Sequence, residues 1–294
     1  MNFQKFDILL SELSNKKVLI TTHDQVDLDG FTSCVLLKYF LETYFENIQV
    51  DLFFSRLSKF TIDFLTRLEK IYPNISYSIE NSKNYLNIEF IIILDTNNLD
   101  QLIFPKSVIE SKKKIQFIFI DHHFNLNHDI VNNIKAYNII LDSFTSTAEI
   151  LFKIFMHYKI EIPIEFRYLL IAAIYTDTGG FRNANNNTFH HISDILDNNM
   201  KFQDFLMLIE KENDFPKKVA IIKGLQRVKI KKVNTWLIGI SQVGSYTSSV
   251  ASALLQIGFD VSIVYSKGAN SFRITTRAKK EICLKTGLHR IKTQ

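Results

Sequence analysis

Apolar and polar positions along this chain fall into short blocks of two periods. Phe3, Phe6, Leu9, Leu10 and Leu13 recur at helical spacing, which predicts an amphipathic helix over residues 1–16. Lys17 to Thr21 is a β-rich run, and Phe31 to Tyr44 has helical spacing again. Gln49 to Phe54 alternates as a half-buried strand, and Leu57 to Tyr72 returns to the helical period. Glu89 to Leu94 is nearly all Ile and Phe, the mark of a strand buried on both faces. Lys114 to Ile120 is a second such run and Tyr137 to Leu141 a further strand. Helices are expected at about 147–158, 164–176, 188–199 and 202–212. Strands alternating with helices predict an α/β fold with an open, largely parallel sheet.

A boundary falls at Glu212-Asn213-Asp214-Phe215-Pro216, followed by a basic helix expected over 217–230. Thr235 to Ser241, Val261 to Tyr265 and Phe272 to Arg277 read as strands, and Tyr246 to Ile257 as a helix. The expected organisation is thus an α/β domain over 1–211, a linker helix over 212–232, and a smaller α/β unit over 233–294.

The polar residues at the strand ends change the picture most. The first strand runs into Thr21-Thr22-His23-Asp24-Gln25-Val26-Asp27-Leu28-Asp29-Gly30, read as a loop entering a helix. The strand ending at Leu94 runs into Asp95, and the strand ending at Ile120 into Asp121-His122-His123. One Asp after a strand is ordinarily a helix cap or turn former. Three strands ending this way, two with histidine attached, exceed what capping explains. In open parallel sheets, ligands sit beyond the carboxyl ends of the strands. A fourth stretch, Tyr175-Thr176-Asp177-Thr178-Gly179-Gly180-Phe181-Arg182, adds an acid and two glycines that let backbone approach an anion. Thr188 is expected to cap the helix that follows, whose N-terminus suits phosphate.

Composition narrows the chemistry. Hydrophobic residues make up 46% of 294, enough for a sizeable core, and no apolar run reaches the roughly 20 residues of a membrane span. Met1 to Asp7 lacks the basic-then-apolar order of a secretion signal, and the two cysteines, Cys34 and Cys283, fit a reducing cytoplasm. Two cysteines also rule out zinc held by a cysteine cluster. The net charge of +5 is uneven. Lys217, Lys218, Lys223, Arg227, Lys229, Lys231 and Lys232 crowd one stretch, and Arg273, Arg277, Lys279, Lys280, Lys285, Arg290 and Lys292 another. Such runs are either solvated faces or an anion-facing C-terminal part, such as a nucleic-acid groove.

Carboxylates gathered at one sheet edge repel and raise one another's pKa, and divalent cations remove that penalty. Carboxylate with imidazole suits Mn²⁺, Mg²⁺, Fe²⁺ or Zn²⁺. Two ions roughly 3.5–4 Å apart can clamp an in-line phosphoryl displacement, which points to phosphoester hydrolysis.

In order and spacing, His23-x3-Asp27-x-Asp29-Gly30, the strand-end Asp95, Asp121-His122-His123 and Thr176-Asp177-Thr178-Gly179 resemble the four motifs of the DHH phosphoesterase family over residues 17–200. The resemblance is to RecJ-like and nanoRNase-like members of archaeal type. It implies two divalent ions, with Mn²⁺ expected and Mg²⁺ the alternative. By position, His23 and Asp27 would bind one ion, Asp29, His122 and Asp177 the other, and Asp95 would bridge them. His123 would face the scissile phosphate and Asp121 would orient a histidine from behind. A hydroxide activated by the two metals would attack, with Asp95, His122 and His123 as the catalytic set. Ser146-Thr147-Ala148-Glu149 resembles the family's small-residue helix start and is read as structural.

The C-terminal part resembles the DHH-associated substrate-binding domain through Arg273-Ile274-Thr275-Thr276-Arg277-Ala278 and Lys285-Thr286-Gly287-Leu288-His289. Arg182, Thr275 and Arg277 are the implied substrate contacts. The family's glycine-rich GGGH segment is absent before Gln294, so a shortened unit is expected. The implied function is a phosphodiesterase of single-stranded or short oligonucleotides, with no membrane partner. A homodimer and a replication or repair partner are left open. The alternatives are a small-nucleotide phosphatase, a cyclic dinucleotide phosphodiesterase, or a non-catalytic nucleic-acid-binding protein.

Overall fold

The computed structural model describes residues 3–75, 77, 85, 87–104, 108, 115–123, 137–196, 200–209, 215–267 and 272–286. The chain divides into two compact units, Met1–Glu210 and Lys211–Gln294.

The first unit is built on a five-stranded parallel sheet. Its strands are β1 (Lys17–Thr21), β3 (Gln49–Phe53), β5 (Phe90–Leu94), β6 (Gln116–Asp121) and β7 (Tyr137–Ile140), in the spatial order β3-β1-β5-β6-β7. Two short strands, β2 (Gln25–Val26) and β4 (Arg56–Leu57), pair in parallel beside it. The helices are α1 (Gln4–Leu13), α2 (Leu28–Tyr44), α3 (Lys59–Ile71), α4 (Thr147–Tyr158), α5 (Ile164–Asp177), α6 (Asn186–Ile195) and α7 (Phe202–Ile209). The α/β class and parallel sheet expected from the periodicity are what the structure contains.

Apolar alternation explains the two-sided burial. Val18, Ile20, Ile92, Leu94, Ile118 and Ile120 face the larger core with α2, α4 and α5, while Leu19, Ile91, Ile93 and Phe119 face a smaller one. All five residues of β5 are buried, so the middle of the sheet is dry and its strand ends are fixed relative to one another. Helix α2 packs on α4 and α5, and its interior side chains Phe31, Leu36, Leu37 and Phe40 have no exposed surface.

Several boundaries differ from the periodicity. Helix α2 begins at Leu28, not Phe31, because Asp27 caps it by accepting a hydrogen bond from Gly30 N at 3.1 Å. The expected loop therefore holds a short strand, β2, and gives Asp29 and Gly30 to the first helical turn. Helix α6 starts at Asn186 and ends at Ile195, and residues 197–199 of the expected helix lie outside the described residues. Its cap is Asn185, with Thr188 reciprocating in a capping box, so Thr188 supports the cap rather than forming it.

The second unit contains α8 (Phe215–Gln226), β8 (Lys229–Val233), β9 (Trp236–Gln242), α9 (Thr247–Gln256), β10 (Val261–Lys267), β11 (Phe272–Ala278) and α10 (Lys280–Thr286). The sheet order is β11-β10-β9-β8, with β9 and β10 parallel and both edge pairs antiparallel. The basic helix expected over 217–230 stops at Gln226, and Lys229–Val233 is an edge strand. Its Lys–Ile–Lys alternation fits a strand as well as a helix, and pairing with β9 decides between them. Helix α8 packs on α9 and β9 within this unit. The expected boundary at 212–214 and the tail positions Gly287, Leu288, His289, Arg290 and Lys292 lie outside the described residues.

Gly30 is where α2 rests on the end of β1. A Cβ there would stand 2.5 Å from Thr22 Oγ1 and 3.1 Å from Thr22 Cγ2. Gly30→Ala is expected to destabilise the protein by about 1–3 kcal/mol, read as a lower denaturant midpoint at unchanged slope. An unchanged midpoint would mean that Thr22 turns aside freely.

Candidate metal centre

Three adjacent strands of the first unit end side by side and deliver the site. His23 follows β1, Asp95 follows β5, and Asp121, His122 and His123 end β6. Asp27 and Asp29 come from the cap and first turn of α2. Asp177 closes α5 as its last residue, rather than lying in the loop beyond it. An acid at a helix C-terminus is unfavourable against the helix dipole, a cost that a nearby cation offsets. Asp95 has φ 59°, in the left-handed region, which costs an L-residue about 1–2 kcal/mol. The backbone turns there while Asp95 N still donates to Ile120 O at 3.1 Å.

The side chains meet around Asp95, which is 5% exposed. Its Oδ2 lies 3.6 Å from His23 Nε2, and its Oδ1 lies 3.6 Å from His122 Nε2. His23 Nε2 is also 3.6 Å from Asp27 Oδ1. His122 Nε2 is 3.1 Å from Asp177 Oδ2 and 4.0 Å from Asp29 Oδ2. Two groups each have potential ligand atoms within 4.8 Å of one another: His23, Asp27 and Asp95, and Asp29, His122 and Asp177. A third group joins Asp95, Asp121, His122 and His123.

Asp121 is fully buried, and its Oδ1 accepts from His122 N at 2.8 Å and His123 N at 3.1 Å. The same oxygen lies 2.8 Å from His123 Nδ1. That carboxylate therefore fixes both the turn after β6 and the His123 ring, whose side chain is 54% exposed.

Asp29 has a partner that the sequence did not announce. Its Oδ2 accepts from Thr147 N at 2.7 Å and its Oδ1 from Ala148 N at 2.9 Å. Thr147 Oγ1 donates to Asp95 Oδ1 at 3.2 Å. Read as structural, the Ser146–Glu149 helix start in fact aims its N-terminal N–H groups at the acidic cluster. The signal was available: Ser-x-x-Glu marks a helix N-terminus, and such an end attracts carboxylate. Helix α4 is itself held from behind. Glu149 Oε1 lies 2.6 Å from His191 Nδ1, and its Oε2 accepts from Thr145 N and Oγ1, both at 2.9 Å. Burial would raise the Glu149 pKa, but His191 and Thr145 outweigh it and lower it.

Electrostatics show what the pocket lacks without a cation. Burial, then the charges of Asp95 and Asp177, push Asp29 well above the usual carboxylate range. Burial opposes a charge on His23, but Asp27 and Asp95 outweigh it and raise its pKa to about 10. Burial likewise opposes a charge on His122, and Asp177 and Asp95 raise it to about 11. Burial would raise Asp95, yet the two imidazoles hold it below the usual range. The Asp121 hydrogen bond raises His123 against burial. Despite its approach to Asp177, His122 Nε2 has no aligned hydrogen bond and counts among the buried polar atoms without one. An unsatisfied imidazole nitrogen facing several carboxylate oxygens, with no thiolate present, fits a divalent cation of the Mn²⁺, Mg²⁺ or Zn²⁺ kind.

The remaining candidates lie elsewhere. Arg182 is exposed, and its Nη1 donates to Gly179 O at 3.3 Å in the loop after α5. That loop turns through left-handed Gly179, Gly180 and Phe181. Thr275 and Arg277 belong to β11 of the second unit. Thr275 Oγ1 is 2.8 Å from Thr247 Oγ1, and Arg277 Nη2 donates to Ser248 Oγ at 2.8 Å, both at the start of α9.

A parallel sheet ending in this cluster of carboxylates and imidazoles defines a site suited to divalent metal, and comparison with known proteins says which class of protein carries it. Residues 17–174 match the DHH family, N-terminal domain. The chain belongs to that family, whose members are metal-dependent phosphoester hydrolases. An uncharacterized protein of Methanocaldococcus jannaschii is 30% identical over 281 residues, spanning 93% of this chain and 80% of that one. An exopolyphosphatase-related protein from Bacteroides fragilis shares the fold with TM-score 0.67 at 20% identity, over 93% of this chain and 82% of that chain. RecJ from Thermus thermophilus, solved in complex with Mn²⁺, is more distant, with TM-score 0.45 and 11% identity over 92% of this chain and 46% of its own.

The shifted groups set a pH dependence. Protons held by His23 and His122 stabilise the folded chain fully below their ordinary pKa of 6.5, and this contribution is lost as pH rises toward about 10 and 11. Asp29, raised as an acid, also loses its stabilising proton as pH rises. In chelator, the melting temperature is therefore expected to fall from pH 6.5 upward. The gain on adding Mn²⁺ is expected to be larger near about pH 9 than at about pH 6.5, since the ion replaces those protons. Melts in both buffers check this; a gain that shrinks with pH would contradict it.

Proposed function

We propose that this protein is a phosphodiesterase of single-stranded or short oligonucleotides that works with two divalent ions, Mn²⁺ first. The carrying observation is that Asp95 turns one oxygen to His23 and the other to His122, so one carboxylate stands between two sets of potential ligand atoms. His23 and Asp27 would hold one ion, and Asp29, His122 and Asp177 the other, with Asp95 between them. Such ions stabilise charge on phosphate oxygens and acidify water at neutral pH.

The chain's own groups supply the rest. The α4 N-terminus keeps both Asp29 oxygens in place, so this ligand stays ordered while its neighbours change partners. Asp121 holds His123 by Nδ1 and leaves the other ring nitrogen for a phosphate oxygen or a departing oxygen. The glycine loop after Asp177, with Arg182, would receive the substrate backbone. On β11 of the second unit, Thr275 and Arg277 would contact a substrate phosphate, Arg277 through a guanidinium suited to phosphate. The excess of cations over acids in the whole chain, 35 against 30, agrees with a polyanionic substrate. Free thiols at Cys34 and Cys283 agree with a cytoplasmic location.

Hydrolysis of a short single-stranded RNA, 3′-phosphoadenosine 5′-phosphate and cyclic di-AMP, compared side by side with Mn²⁺, tests the substrate class. The RNA is expected to turn over fastest; turnover confined to either small nucleotide would replace this reading. Asp95→Ala is expected to lower kcat by roughly 100-fold or more, with the fold retained. Retained turnover would remove the shared-ligand assignment. Arg277→Ala is expected to raise KM about tenfold with little change in kcat, the loss of one charge-assisted contact. An unchanged KM would take Arg277 out of the substrate site.

A further inference from the structure

The sheet of the second unit has one face committed to its helices. Ser241 Oγ donates to Gly224 O at 2.6 Å and Ser262 Oγ to Ala251 O at 2.9 Å. Thr275 and Arg277 also bond to the start of α9 on this side. Strand alternation therefore turns Ile240, Ile263, Tyr265 and Ile274 the other way. The core of this unit, formed by Val243, Val250, Ala251, Leu254, Phe259 and Val264, lies entirely on the helix side. On the opposite face, Phe272 is 61% exposed and Ile274 57% exposed. Tyr265 and Phe272 have ring centroids 5.7 Å apart at 33°. Trp236 stands on the same face, level with Val233 of the edge strand.

The charge on this sheet selects the occupant. Its four strands carry Lys229, Lys231, Lys232, Lys267, Arg273 and Arg277, and no Asp or Glu. Lys229 lies beside Ile240, Lys231 beside Ile238, and Lys267 beside Phe272, so three of these cations border the aromatic face. A second copy laid on it would oppose lysine with lysine. A single-stranded nucleic acid brings phosphates to the lysines and flat bases to the rings, the combination that stacking platforms use. From Trp236 to the level of Tyr265 is six residues along β9, about 20 Å, room for several bases.

We propose that this face, through Trp236, Tyr265, Phe272, Lys229, Lys231 and Lys267, binds single-stranded nucleic acid on the side of the sheet away from Thr275 and Arg277. It goes beyond the hydrolytic reading by adding a second contact surface, and it shares with that reading only the ligand class.

The test is fluorescence anisotropy of a labelled single strand of about 15 nucleotides, long enough to cover the whole face, against the full chain in EDTA. Phe272→Ala is expected to bind roughly tenfold more weakly, the loss of one stacked base. Lys229→Gln with Lys267→Gln should flatten the dependence of log K on log salt by about one unit or more. A duplex of the same sequence should bind more weakly, because its bases are already stacked. Unchanged binding by Phe272→Ala, with circular dichroism confirming the fold, would overturn the proposal. So would a Phe272→Ala chain that changes from dimer to monomer in sedimentation while binding as before; the face would then join two copies. Because binding in EDTA needs no turnover, a strand that binds through this face yet is not cleaved would refute the hydrolytic reading alone. Cleavage without any effect of Phe272 would refute the platform alone.

Discussion

Asp29 and Asp95 lie buried against the same imidazole, within 4.0 and 3.6 Å of His122 Nε2. Two carboxylates out of water at that spacing repel, and neither can be solvated. The fold holds them there by three means. The first turn of α4 gives both Asp29 oxygens a backbone N–H. His23 and His122 take protons well above their ordinary range. The strand that leads into Asp95 is locked in a sheet buried on both faces, so Asp95 cannot move away. The last device is geometric and permanent. A divalent cation would replace those protons, which would couple folding of the site to binding of metal.

The rest of the first unit follows from that constraint. Parallel pairing of β1, β5 and β6 brings three strand ends level, and α2 and α4 start at the same edge. Asp95 adopts a left-handed backbone to turn its side chain into the cluster, a local cost tolerated because β5 is completely buried. The Glu149–His191 pair, its imidazole stacked on Phe144 and tilted against Phe152, ties the α4 start to α6. It thereby fixes the N–H groups on which Asp29 depends. A mutation there would act on the metal site without touching it.

The second unit balances a different pair of terms. Its small core lies on one side of a four-stranded sheet, while Phe272 and Ile274 remain open on the other. Leaving apolar rings in water is unfavourable, and lysines around them keep the surface dissolved. Among the described residues, that combination reads as a surface kept for a ligand rather than as unfinished packing.

Much was legible in the chain itself. The apolar runs at β1, β5 and β6 declared buried strands. The polar residues after them, His23, Asp95, Asp121, His122 and His123, declared a ligand-bearing edge, because chemistry of that kind is local and survives in one dimension. Where Asp27 and Asp177 sit was less legible: both belong to helix ends, since helix boundaries depend on caps that compete within a residue or two. The strand at Lys229–Val233 was hidden because its alternation suits either period until β9 pairs with it. The role of Thr147 and Ala148 was invisible for a stronger reason. Asp29 Oδ2 and Thr147 N stand 118 positions apart in the chain, and a backbone N–H carries no residue type to read. Sequence determined which groups could bind a cation and on which strand ends they stand. Only tertiary structure decided which oxygens converge and which helix end faces them. It also decided which sheet face was left open, because these depend on distances between segments that no local pattern encodes.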